Sequence, residues 1–134
     1  MRRLLLPLAL LCPPSMGCDD TLFVGADPGP ATDAQGFEGV QAIVASNCLT
    51  CHSADSALGD LDLETDLYAA TVGVTGAYGV TIVEPGDLDN SMLYLKTTNQ
   101  QGSDGSEMPV GTGGLSQPEN DIIANWILDG APAQ

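Results

Sequence analysis

Cys48-Leu49-Thr50-Cys51-His52 is the stretch on which the reading of this chain turns. Two thiols spaced by two residues, with a histidine directly after the second, make the C-x-x-C-H attachment sequence for c-type haem. The thiols can reach the two vinyl groups of one porphyrin, and the adjacent imidazole can bind iron on one face of the ring. With 4 cysteines and 1 histidine in 134 residues, a chance match is on the order of one in a thousand. His52 is the only histidine, which excludes bis-histidine ligation within one molecule. Competing uses of these thiols are weaker. A zinc site wants four Cys or His ligands, and only carboxylates remain to complete one. A thioredoxin-like redox pair wants a βαβ context that the pattern does not offer, and a plain disulfide leaves His52 unexplained.

Upstream of the motif, Phe37, Val40, Ile43 and Val44 fall at helical spacing and predict an amphipathic helix over 37–47 running into Cys48. Downstream, 53–63 reads as a loop with Leu58, Leu61 and Leu63 as apolar anchors. A short helix is expected over 64–72, glycine-punctuated turns over 73–79 and an extended piece over 80–83. Asp87 or Asp89 can cap a helix over 91–96 that carries Met92, Leu93 and Leu95. The segment 99–114 holds five glycines around Met108-Pro109, and a long glycine-rich loop inside a small domain is usually functional or disordered. The last element is the clearest. Ser116-Gln117-Pro118-Glu119 is a capping box with proline in the first turn. Ile122, Ile123, Trp126 and Ile127 form one apolar stripe, and Gly130 and Pro132 end the helix. The chain therefore reads as mainly α, with large loops and no internal repeat.

A thioether is a good sixth ligand for haem iron and raises its potential. Beyond the leader the methionines are Met92 and Met108. Met92 lies in an apolar helical pattern and is expected to pack. Met108 lies in the polar run Ser106-Glu107-Met108-Pro109-Val110, with no apolar stripe to join, and Pro109 restricts its backbone. Met108 is the expected distal ligand, the alternative being an open iron site. Asp60, Asp62, Glu64 and Asp66 alternate like calcium ligands, but the glycine and glutamate of an EF-hand loop are missing, so they read as a solvated loop and helix start.

Met1-Arg2-Arg3 and the apolar run 4–11 make a charged start and a short hydrophobic region, as in a secretory signal. Pro13-Pro14 stop that run far short of the roughly 20 apolar residues of a membrane span. Ser15-Met16-Gly17-Cys18 resembles the lipobox of bacterial lipoproteins, in which the cysteine is lipidated and becomes the first residue. The expected organisation is a signal peptide over 1–17, a flexible tether over 18–35 anchored through Cys18, and a folded domain over 36–134. The formal charge is −15 at pH 7. Removal of the leader leaves Lys96 as the only basic side chain against 18 acidic ones. Such a surface argues against nucleic acid and steers basic partners.

From Phe37 to Ala131 the chain resembles the small monohaem cytochrome c domains of planctomycetes and related bacteria. The residues that carry the resemblance are Cys48-Leu49-Thr50-Cys51-His52, Leu61-Asp62-Leu63, Val83-Glu84-Pro85-Gly86-Asp87 and Asn90-Ser91-Met92-Leu93-Tyr94. Met108-Pro109, Leu115-Ser116 and Trp126-Ile127-Leu128-Asp129-Gly130-Ala131 complete it. Members often carry a second proline where Val110 stands here, and are less poor in basic residues. The resemblance implies a class I cytochrome c-like fold, with crossed N- and C-terminal helices around one covalent haem c. It implies thioethers at Cys48 and Cys51 and His/Met ligation by His52 and Met108. Phe37–Val44 should then pack against Ile123–Ile127. The expected function is one-electron transfer by a lipid-anchored carrier on the periplasmic side of a bacterial membrane, serving redox partners with a basic docking surface. The alternatives are a haem enzyme or gas sensor with an open iron position, and a non-haem metal or structural module.

Overall fold

A computed structural model describes residues 36–134. The expected signal peptide over 1–17, the lipidation site Cys18 and the tether over 18–35 lie outside the described residues. Four α-helices follow in order: α1 (Phe37–Asn47), α2 (Leu67–Thr71), α3 (Met92–Thr97) and α4 (Gln117–Leu128), with a 3-10 turn at Leu58–Asp60 between α1 and α2. No strand forms among the described residues. The extended piece around 80–83 is instead held by isolated bridges, Val72 to Val83 and Thr75 to Thr81. The fold is mainly α.

Helix α1 packs against α4, as their apolar stripes require. Phe37, Val40, Ile43 and Val44 of α1 meet Ile123, Trp126 and Ile127 of α4 in one buried cluster, joined by Leu63, Leu67, Val83 and Ala131. Aromatic residues are few, and three of them are concentrated at this junction. Phe37 stacks on Trp126 with ring centres 5.5 Å apart, and it receives Tyr68 from α2 edge-on at 5.7 Å. Both are favoured aromatic geometries. The indole N–H of Trp126 donates to the Pro132 carbonyl at 2.8 Å, so a fully buried ring leaves no polar atom unpaid. Gly130 takes a left-handed φ of 92° one residue past the C-cap Asp129, ending α4 where the sequence requires.

The short helices depart from expectation in their boundaries. Asp62 accepts from the backbone N–H groups of Glu64 and Thr65, making a turn where the helix was expected to begin. Asp66 then caps α2 by accepting from Ala69 N–H at 3.0 Å, so the helix starts at Leu67. At α3 the N-cap is Ser91, not Asp87 or Asp89. Asp87 is engaged by the backbone and side chain of Asn90, and the Ser91 hydroxyl donates back to the Asp87 carbonyl at 2.6 Å.

Candidate functional site

Helix α1 delivers the motif. Cys48 is its C-cap, donating its N–H to the Val44 carbonyl at 2.9 Å. The Cys48 carbonyl then accepts from both Cys51 N–H (3.1 Å) and His52 N–H (2.9 Å), which coils the five residues into a tight turn. Leu58 N–H binds the Cys51 carbonyl and Leu63 N–H the His52 carbonyl, so the loop after the motif is laced back onto it. Asn47, next to Cys48, donates to Glu119 at the start of α4, tying the motif end of α1 to the last helix.

Both thiols are free, Cys48 half-buried and Cys51 exposed. Burial pushes the Cys48 thiol up to about 11, with the charges of Cys51 and Glu119 adding to the rise. A thiol held protonated in this way is a poor nucleophile and a poor metal ligand. Among the described residues no group of three or more His, Cys, Asp and Glu side chains is placed to hold a metal ion. Within the acidic run at 60–66, Asp62 is engaged in a turn, Asp66 caps α2, and Glu64 accepts from Ala54 N–H.

Cys48, Cys51 and His52 line a cavity of about 1150 Å³ that is also lined by Met92, Lys96 and Met108. Its wall is largely aliphatic, with Leu61, Leu63, Val74, Ile82 and Leu93 among the lining residues. Ordinary ligand pockets occupy about 300–1,000 Å³, so this one is generous for a 13.8 kDa chain. His52 Nδ1 is buried without a hydrogen-bond partner. An orphaned buried polar atom costs roughly 1–3 kcal/mol and calls for an explanation. A large apolar cavity lined by two free thiols and by the histidine that follows them fits a covalently held haem.

Met108 reaches the cavity from the glycine-rich segment, which is well bonded. Met108 N–H donates to the Lys96 carbonyl at 3.0 Å, and Leu115 N–H returns to the Thr97 carbonyl at 2.8 Å. Glu107 accepts from Gly111 N–H at 2.8 Å, and the Thr112 hydroxyl donates to the carbonyls of Pro109 and Gly114. All four residues expected at the haem site (Cys48, Cys51, His52 and Met108) therefore line one cavity. Met92 is buried, at 6 % exposure, but it stands apart from the main core cluster and lines the same cavity. The helical pattern of the sequence did not reveal that placement. It also missed the contacts of Lys96 and Tyr78 beside the Met108 loop. The one signal for them was that Lys96 is the sole cation of the domain.

Neither a curated protein nor a solved structure matches the chain. Residues 48–109, from the first thiol of the motif through Met108-Pro109, match the family model described as planctomycete cytochrome C. The mainly helical fold and the cavity at the motif agree with this match, which makes the stretch 48–109 similar to a planctomycete-type cytochrome c.

Proposed function

We propose that this protein is a membrane-tethered monohaem cytochrome c that carries one electron at a time between protein partners. The observation that supports it most strongly is the convergence of Cys48, Cys51, His52 and Met108 on one large, mostly aliphatic cavity. In this reading Cys48 and Cys51 hold the haem as thioethers, His52 is the proximal iron ligand and Met108 the distal one. Bound there, the haem supplies a one-electron ferric/ferrous couple. The chain's own residues set how that couple behaves. Aliphatic side chains exclude water from the iron's surroundings, and a thioether ligand raises the potential. The backbone lacing from Cys51 and His52 to Leu58 and Leu63 holds in place the main chain that carries the imidazole. The proposed organisation is a signal peptide over 1–17, a lipidated Cys18 at the head of a tether over 18–35, and the electron-carrying domain over 36–134. A tether of that length lets the domain move between a donor and an acceptor. The acidic surface favours partners with a basic docking face.

Expression in a bacterial host with haem-attachment machinery tests the core of this reading. The protein should carry haem that survives a denaturing gel, and a Cys48→Ser, Cys51→Ser double variant should not. A native protein without covalent haem, made where a control cytochrome c is matured, would refute it.

A further inference from the structure

Lys96 is the only lysine or arginine among the described residues, in a domain crowded with carboxylates. Its ammonium nevertheless engages main-chain oxygens. Lys96 Nζ donates to the Asp104 carbonyl at 2.6 Å and to the Ser106 carbonyl at 3.0 Å. Its own carbonyl accepts from Met108 N–H at 3.0 Å. One residue thus grips 104, 106 and 108, three alternate positions that lead directly to Met108-Pro109. Behind it, the Tyr78 ring lies 4.9 Å from Nζ in cation–π geometry. Gly105, in the middle of the gripped segment, has a φ of 82° and sits against the Tyr78 hydroxyl and Lys96 Nζ, so a side chain there would run into the hydroxyl and crowd the ammonium. The clamp closes on the one residue type that leaves room for it.

We propose that Lys96, backed by Tyr78, is the positioning residue that holds the Met108 loop against the cavity and keeps the Met108 thioether at the distal site. The inference rests on the reading of Met108 as iron ligand. A cation suits the task because hydrogen bonds from an ionised donor are roughly twice as strong as neutral ones. The loop around it, 99–114, carries five glycines, and each fixed glycine costs more conformational entropy than any other residue. Without the clamp, the loop swings the thioether away from the cavity more often.

The test uses the haem-loaded protein and three readouts: amide hydrogen exchange across 104–108, the sulfur-to-iron absorption of the oxidised form, and the rate of carbon monoxide capture by the reduced form. Lys96→Leu keeps an apolar side chain, removes charge and donors, and brings no sulfur to the cavity. It should retain covalent haem, exchange Met108 N–H about tenfold faster and capture carbon monoxide about tenfold faster. Tyr78→Ala, at a half-exposed position, should shift both rates about threefold in the same direction, and Tyr78→Phe should leave them native. Met108→Ala is measured beside them. If Met108→Ala captures carbon monoxide while Lys96→Leu and Tyr78→Ala keep native rates, the clamp is refuted and the ligand reading stands. If Met108→Ala leaves the spectrum unchanged, the ligand reading fails and takes the proposal with it. Should Lys96→Leu fail to fold, native rates in Tyr78→Ala alone overturn the clamp.

Discussion

At the scale of single residues, Glu119 shows how much one side chain joins. Its carboxylate accepts from the Ser116 hydroxyl at 2.6 Å and the Ser116 N–H at 3.0 Å, and also from Asn47 Nδ2 at 3.2 Å. The Ser116 hydroxyl is the main cause of a pKa held below the usual 4.5, with the Ser116 N–H and Asn47 lowering it further against an opposing effect of burial. A carboxyl whose pKa is depressed in the folded state stabilises the fold fully above 4.5 and loses that contribution as the pH falls through the depressed value. Glu119→Ala should therefore cost about 1 kcal/mol at neutral pH, the usual cost of a lost cap. In denaturant titrations its difference from the native protein should shrink as the pH drops below 4.5. A difference that stays constant down to pH 3 would show that the ionised carboxylate is not the source. The Ser116 half of this arrangement is readable in the sequence, because a capping box has fixed spacing. The Asn47 half is not, since that partner lies 72 residues away.

At the scale of elements, the long helices and the short ones had different legibility. Helices α1 and α4 run 11 and 12 residues, long enough for an apolar stripe to declare itself, and in α4 a capping box marks the start. Helices α2 and α3 have 5 and 6 residues, too few to be stable by themselves, so neighbours decide their ends. Asp62 and Asp87 became turn residues because Thr65 and Asn90 stood three positions on to engage them. The same dependence on distant partners orders the glycine-rich segment. Gly114 takes a φ of 106° and lies so close to the Thr97 carbonyl that a Cβ would run into it. That carbonyl already accepts from Leu115 N–H and from the Asn120 side chain. Gly114→Ala should lose roughly 1–3 kcal/mol from backbone strain, with further loss as the Thr97 bonds loosen. The denaturant midpoint should move down accordingly, and an unchanged midpoint would mean that the loop's return to α3 is not held at this carbonyl.

At the scale of the whole molecule, a junction of aromatic rings secures one side of the fold while aliphatic residues line a large cavity at the motif. That Cys48, Cys51 and His52 would share one site was legible because they are nearly contiguous, and that Met108 would join them on the cavity wall because an apolar residue in a polar loop has nothing local to pack on. The cavity-facing Met92 and the Lys96 clamp depend on how distant segments meet, which no local pattern records. The proposed tether belongs to this scale too. Cys18→Ala should release the protein from the membrane fraction with its haem content unchanged, and a variant that stays with the membrane would rule out anchoring through that residue. Because Met92 and Met108 both line the cavity, the most direct test of the central claim compares two haem-loaded variants, Met108→Ala and Met92→Leu, with the native protein. The measurement is the absorption spectrum, oxidised and then reduced with carbon monoxide. Native protein and Met92→Leu should keep the sulfur-to-iron absorption and resist carbon monoxide, while Met108→Ala loses the first and binds the second. Carbon monoxide binding by the native protein, or ligand loss in Met92→Leu but not in Met108→Ala, would contradict the account.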